Sequence, residues 1–100
     1  MTEQIERIRA MEAAMDRAGA AISALERALE LYRGAQPDLR ALDAYLQSDD
    51  WKADFAADAS GALPGDLKRG VLSEDGLYDL LESDAQLRRA LRAAGKALKR

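Results

Sequence analysis

Two residue types that carry much of protein chemistry are missing from this sequence of 100 residues, which contains no cysteine and no histidine. Without cysteine the chain has no disulfide, no thiolate metal ligand and no thiol nucleophile, a composition typical of the reducing cytoplasm. Without histidine, the five serines lack the base that most often activates a hydroxyl nucleophile. The sequence therefore predicts a protein that is not an enzyme.

Long uncharged hydrophobic runs are missing as well. The longest segment without charged or amide side chains, AGAAISAL at residues 18–25, is far shorter than the roughly 20 residues of a membrane-spanning helix. The N-terminal segment MTEQIERIRAMEAAMDR is too acidic and too evenly polar for a secretory signal. We therefore expect no membrane segment and a cytoplasmic location.

Charge is distributed unevenly along the chain. Residues 87–100 carry six basic and no acidic side chains, whereas residues 1–86 carry nine basic and eighteen acidic ones, a net charge of −9. The acidic body argues against nucleic acid as a partner. Because a helix dipole favours cations at its C-terminus, the basic end is interpreted as a helix-stabilising feature and not as a nucleic-acid or membrane patch.

The composition favours helices. Hydrophobic residues make up 48% of the chain, but 21 of them are alanine, so only 27 large apolar side chains are left for a core. Leucine, with 15 copies, greatly outnumbers valine and isoleucine, which have four copies together. These residues favour helix over strand, and the length suits one core. We predict an all-α fold with a single domain over residues 1–100.

A heptad row of apolar residues marks the N-terminal third of the chain. Its members, spaced alternately three and four residues apart, are Ile8, Met11, Met15, Ala18, Ile22, Leu25, Leu29 and Tyr32. With Thr2 as the N-cap, Gly34 as a left-handed residue past the end and Pro37 as a stop, the pattern predicts a helix over about residues 3–33.

A helix of that length, roughly 45 Å, needs an equally long surface to cover its apolar row. The C-terminal segment is rich in leucine and offers such a row from Leu77 to Leu98. The predicted architecture is therefore an elongated helical bundle, in which the long N-terminal helix packs antiparallel against the C-terminal helical segment. Self-association into a dimer is the alternative.

Two short helices and an ordered Pro/Gly loop are predicted between the long elements. The first short helix has Pro37 in its first turn and runs to about Gln47. The second is capped by Ser48 or Asp49 and ends at residues 60–61, a Ser-Gly pair.

The LPGD segment that follows predicts a type II turn, with Pro64 and Gly65 in its two central positions.

The last helix is predicted to begin at Ser73, an N-cap followed by Glu74 and Asp75 in the first turn. Leu72 and Leu77 occupy the positions of a hydrophobic staple around this cap.

A second capping box within the last helix, formed by Ser83 and Gln86, predicts a kink or a break near residue 83. Asp84, which falls where the leucine row calls for an apolar residue, supports the same prediction.

Residues 51–82, WKADFAADASGALPGDLKRGVLSEDGLYDLLE, resemble the hallmark stretch of a family of small bacterial proteins grouped as domain of unknown function 4298. The resemblance runs over essentially the whole chain, from a Met-Glu pair near the start of the first helix through QPDL to the leucine-rich end. It implies a free-standing helical bacterial protein of about this length, and it brings no catalytic residue, cofactor or partner. It also marks residues 51–79 as a signature region, where we look for function.

Three aspartates of the signature region, Asp50, Asp54 and Asp58, lie four residues apart and so share one helix face. Trp51 and Phe55 occupy a neighbouring face that we expect to be buried. Like charges at this spacing repel one another, so the aspartates need a cationic partner.

The nearest cations are Lys68 and Arg69 in the following loop. The leading hypothesis is an intramolecular ion network that joins Asp54 and Asp58 to Lys68 and Arg69.

Other chemistries for this region are weaker. The carboxylates could bind Mg²⁺ or Ca²⁺, but three in a row on one helix diverge and no EF-hand loop is present, so no metal or other cofactor is predicted. Lys68, Arg69 and Gly70 precede a helix start, yet neither a Walker A nor a GxGxxG motif accompanies them. Acid–base catalysis by Asp54, Asp58 and Tyr78 would need a concave site that a thin helical domain does not offer.

We therefore predict a small protein–protein interaction or assembly module, whose partner is an unidentified protein or a second copy. The alternative is a small ligand- or ion-binding protein centred on the Asp/Lys/Arg block of residues 50–79. Tryptophan, tyrosine and arginine are enriched at binding hot spots, although a lone tryptophan beside a phenylalanine is also typical of a core. The candidate binding residues are Trp51, Asp54, Phe55, Asp58, Lys68, Arg69 and Tyr78.

Overall fold

The computed structural model describes residues 1–73 and 75–98, and every regular element within these residues is helical. The elements are α1 (Thr2–Gly34), α2 (Gln36–Leu46), α3 (Asp49–Ala59), a 3-10 turn (Gly70–Leu72) and α4 (Gly76–Ala97). The predicted all-α class is confirmed. None of the helices in the described ranges combines the length and the hydropathy that crossing a membrane requires.

The chain divides into two compact units, one formed by Met1–Gln36 and the other beginning at Pro37. The first unit is essentially α1, and the second contains the remaining helices. The prediction of a single domain, and that of antiparallel packing between the N-terminal and C-terminal helices, both stay predictions.

Helix α1 has the bounds that the heptad row predicts, but its ends differ in detail. Thr2 is already helical, and the cap position belongs to Met1, which makes no side-chain cap bond. Gly34 is the last helical residue and is not left-handed. Ala35, which follows it, also lies in the right-handed region, at φ −84°. Because α2 begins directly at Gln36, the chain continues into the next helix without a left-handed residue.

One serine joins the end of α2 to the start of α3. Ser48 Oγ accepts a hydrogen bond from the Trp51 backbone N–H at 3.2 Å and donates one to the Tyr45 carbonyl at 2.6 Å. The predicted Ser48 cap is therefore confirmed. At the other end of α3, Gly61 has a φ of +75°, a left-handed conformation that suits glycine after a helix.

The predicted type II turn at residues 64 and 65 is wrong. The Leu67 N–H bonds to the Pro64 carbonyl at 3.2 Å, so Pro64 opens the turn, and Gly65 follows it as the first central residue. A type II turn also needs a positive φ, which Gly65 does not have.

The core of the second unit consists of two leucines on either side of the start of α4. Leu72 and Leu77 are only 6% and 3% exposed, in agreement with the predicted staple. Between them, Ser73 Oγ accepts from the Gly76 N–H at 3.1 Å and donates to the Gly70 carbonyl at 2.9 Å. Ser73 Oγ thus caps the first N–H of the helix, but the N-cap position belongs to Asp75, which makes no side-chain cap bond. The predicted helix start, with Ser73 as the N-cap and Asp75 in the first turn, is wrong, because regular helix begins at Gly76.

The predictions for Glu74, and for Lys99 and Arg100 at the basic end, lie outside the described residues.

The predicted break near residue 83 is wrong, because α4 runs without interruption from Gly76 to Ala97. A kink at this place stays a prediction. Asp84 fits into this helix since its carboxylate accepts a hydrogen bond from Arg88 Nε at 3.0 Å, one turn further on. A carboxylate paired within its own helix does not need to leave the leucine row.

Candidate functional site

The signature region, residues 51–79, comprises most of α3, the loop after it, the 3-10 turn and the start of α4. Helix α3 positions its side chains because Ser48 fixes its first turn and Gly61 ends it. Three of its residues, Trp51, Asp54 and Asp58, reach other segments of the second unit. We call their contacts the α3 contacts.

Trp51 is tied to the 3-10 turn. Its indole Nε1–H donates to the Val71 carbonyl at 2.9 Å, and its ring stacks on Phe55 with centroids 5.1 Å apart and planes inclined by 22°. Both rings are half-buried. Since the indole has a single polar atom, this bond uses all of its hydrogen-bonding capacity within the chain. Trp51 therefore acts as a structural anchor.

Asp58 and Arg69 form the part of the predicted ion network that the structure confirms. The Arg69 guanidinium donates from Nη1 to Asp58 Oδ1 at 2.8 Å, the length of a charge-assisted hydrogen bond. The two side chains are 28% and 35% exposed. This pair holds the loop before the 3-10 turn against the end of α3.

Asp54 takes a different partner from the predicted one. Tyr45 Oη, from the last turn of α2, donates to Asp54 Oδ2 at 2.6 Å, and no ion pair joins Asp54 to Lys68. The connection between α2 and α3 is only two residues long, and it brings the end of α2 within hydrogen-bonding reach of Asp54. The hydrogen bond to Asp54, together with desolvation and the nearby negative charges of Asp54 and Asp50, raises the pKa of Tyr45 to about 12.

Sequence reasoning missed Tyr45 altogether. The available signal was its position one turn before the Ser48 cap, where a short connection brings two helix ends together. A hydroxyl there can reach a carboxylate in the second turn of the next helix. Tyr45 and Asp54 are nine residues apart, which is outside the spacing of pairs within one helix.

Lys68 and Tyr78 stay apart from the α3 contacts. Lys68 is exposed, and no carboxylate within residues 1–73 and 75–98 lies at ion-pair distance from it. Tyr78 is 61% exposed in the first turn of α4. The structure thus brings together Trp51 with Phe55 and Asp58 with Arg69, but it does not join all seven candidate residues into one site.

The aspartates of α3 do not gather around a common point. In the part of the chain that the structure describes, no group of three Asp or Glu side chains lies close enough to hold a metal ion. Asp54 and Asp58 each have a protein partner instead. The arrangement therefore joins α3 to α2 and to the loop, and its polar groups are used in doing so.

A groove that the sequence did not indicate lies between α2 and α4. It is open, has a volume of about 400 Å³ and is lined in part by Leu39 and Leu81. Its charged side chains are Arg40 and Asp43 from α2 and Asp84 and Arg88 from α4. Two positive and two negative charges leave the lining without a net charge.

Comparison with known proteins bears on the family of this chain. The search of curated proteins found no match, and the search of solved structures found none either. A family model described as "Domain of unknown function (DUF4298)" matches residues 8–93, which include α2, α3, the 3-10 turn and most of α1 and α4. Because the match covers most of the sequence, the chain belongs to this family.

Proposed function

We propose that this chain is a non-enzymatic interaction or assembly module of the cytoplasm, and that its contact surface lies on α1. The observation that carries the proposal is a row of six large apolar side chains, each 39–64% exposed. We call this surface the α1 row; its residues are Ile8, Met11, Met15, Ile22, Leu25 and Leu29.

Single exposed apolar residues are normal, but a continuous strip is a mark of a binding surface. The α1 row extends over 22 residues of one helix, about 32 Å from the first to the last at 1.5 Å of rise per residue. No residue of α1 is buried. Helices owe most of their stability to packing of an apolar face, and Gly19 lowers the intrinsic helix propensity at the middle of this one. Covering the row would therefore stabilise α1.

The signature region supports the proposal because its polar groups are already bonded and leave little free for a ligand. The polar groups of Trp51, Asp54 and Asp58 are bonded within the chain. A ligand or ion at this block would have to displace those contacts. The apolar side chains of the α1 row have no hydrogen bonds for a partner to displace, so the row is the better candidate for a contact surface.

The test is site-specific crosslinking inside cells that make the protein. A photoreactive amino acid is placed at Ile22 in the row, and in a matched variant at Ala24, two residues away and on the opposite face of α1. Adducts are expected from position 22 and not from position 24. Equal yields from both positions, or none from either, would contradict an interaction through this row.

A further inference from the structure

We propose that the occupant of the α1 row is a second copy of this chain, paired in parallel as a two-stranded coiled coil. The inference rests on the proposed function, because it names the partner of the same surface. The length of α1, the residues in its heptads and the charges beside them support it independently.

Among the described helices, none but a second α1 is long enough to cover the full length of α1. It has 33 residues, whereas α4 has 22 and α2 and α3 have 11 each. Two parallel copies in register lie side by side along the whole helix, about 50 Å and therefore beyond both ends of the α1 row. A contact strip about 10 Å wide then gives on the order of 500 Å² per copy. The pair then buries about 1,000 Å² in total, which reaches the lower limit for a specific interface.

The heptad positions favour two parallel strands. With Ile8 at position a, the a positions hold Ile8, Met15, Ile22 and Leu29, and the d positions hold Met11, Ala18, Leu25 and Tyr32. In a parallel pair each of these residues meets its own copy. Isoleucine at a with leucine at d is the combination that favours parallel dimers. Ile22 and Leu25, both more than half exposed, form such a pair at the middle of the row.

The charges beside the row select the same orientation. In a parallel pair, Arg7 at position g lies next to Glu12 at position e of the second copy, and this attraction occurs twice by symmetry. An antiparallel pair that overlaps the whole row would instead bring Glu12 close to Glu26 of the second copy. The g positions nearer the middle of the helix hold Ala14, Ala21 and Ala28, so they oppose neither arrangement.

The native absence of cysteine permits a direct test with the full chain. In a Met11→Cys variant, a parallel pair places the two new thiols opposite each other, within reach of a disulfide. The matched control is Ala13→Cys, on the far side of α1. In a glutathione redox buffer we expect a disulfide-linked dimer from Met11→Cys and almost none from Ala13→Cys. Circular dichroism verifies that both variants are helical.

The unmodified chain provides a second measurement that needs no substitution. Sedimentation equilibrium over a range of concentrations is expected to show a mass twice the 10.9 kDa of one chain. Arg7→Glu should weaken association about tenfold, since it turns two attractive pairs into repulsive ones, and adding Glu12→Arg should restore it.

Other outcomes overturn the inference in distinguishable ways. Efficient disulfide formation between Met11→Cys and Leu29→Cys chains, with little from Met11→Cys alone, would establish an antiparallel pair. A monomeric mass at every concentration would exclude the second copy. If the Ile22 crosslink then joined the chain to a protein of a different mass, the proposed function would stand with another partner. A monomer without any adduct would remove both proposals.

Discussion

Helix α1 and the region from Ser48 to Leu77 show two different ways in which a sequence specifies structure. No residue of α1 is buried, and its Glu30–Arg33 ion pair is 4.0 Å long with both side chains about four-fifths exposed. The second region buries Leu72 and Leu77 and bonds residues that are far apart in sequence, such as Trp51 and Val71. One is specified by helix propensity, the other by contacts between segments.

This difference separates the consequences of substitution. In α1 a change acts on local helix propensity and, under the proposal above, on association. Between Ser48 and Leu77 a change acts on the fold itself, since few contacts hold several segments together. Each of the following predictions compares a variant in the second unit with a control where those contacts are absent.

The largest effect is expected from the core. Leu77→Ala should lower the free energy of unfolding by about 2–4 kcal/mol, because it empties a site that is 97% shielded from solvent. Leu31→Ala, at a position on α1 that is 77% exposed, should change it by less than about 0.5 kcal/mol. Urea denaturation followed by circular dichroism measures both. Similar losses from the two variants would remove the distinction between the regions.

The next effect concerns glycine at the start of α4. A Cβ at Gly76 would clash with Ser73 Oγ and lie 3.0 Å from the Gly70 carbonyl, so Gly76→Ala should destabilise by about 1–2 kcal/mol through loss of the cap. Gly95, in the same helix, has open space around it, and Gly95→Ala should stabilise by up to about 1 kcal/mol. Thermal melts measure whether the two substitutions shift the melting temperature in opposite directions. In a Ser73→Ala background the cost of Gly76→Ala should shrink; an unchanged cost would place the clash elsewhere.

A smaller effect is expected from the ion pair of the α3 contacts. A double-mutant cycle with Asp58→Asn and Arg69→Met should give a coupling energy of about 0.5–1 kcal/mol, because the pair is short but partly exposed. The same cycle at Glu30 and Arg33 should give a coupling close to zero, since that pair is long and exposed. High salt should weaken the first coupling. Equal couplings at the two sites would contradict a structural role for Asp58 and Arg69.

The smallest effect is confined to alkaline pH. The pKa of Tyr45 is about 12 in the folded chain against an ordinary value of 10.0. Its contribution to stability is therefore complete below about pH 10 and is lost as the pH rises towards about 12. Tyr45→Phe should reduce the fall in melting temperature over this interval, with Tyr78→Phe as the control at an exposed ring that lies apart from the α3 contacts. Asp54→Asn should shift the Tyr45 titration, followed by tyrosinate absorbance, back towards pH 10.

Local patterns in the sequence predicted much of this fold. The heptad row gave the bounds of α1, while the hydroxyl before α3 identified Ser48 as its cap. Leu72 and Leu77 followed from the staple around Ser73. All of these depend on residues a few positions apart, where helix geometry alone decides which groups meet.

The errors arose where a neighbour from another segment, or a pairing within the helix, changed the outcome. Asp54 bonds Tyr45 because a two-residue connection brings α2 close, a fact that spacing within α3 cannot contain. The Ser83 capping box failed since its residues are also compatible with helix interior and Asp84 is paired with Arg88. The turn at Pro64 was predicted one residue too early. The conformation of its loop depends on contacts made further along the chain, at Arg69 and Val71.

The bond between Trp51 and Val71 also gives this protein a natural spectroscopic reporter. Trp51 is the single tryptophan of the chain, so its fluorescence comes from one place, where the 3-10 turn meets α3. Release of the turn would free the indole N–H to water and shift the emission to longer wavelength. Helix α1 contains no tryptophan, whereas circular dichroism reports on all helices together, to which α1 contributes 33 residues and α2, α3 and α4 contribute 11, 11 and 22. A loss of helix signal without a change in Trp51 emission would therefore report unfolding away from the 3-10 turn, in one unlabelled sample.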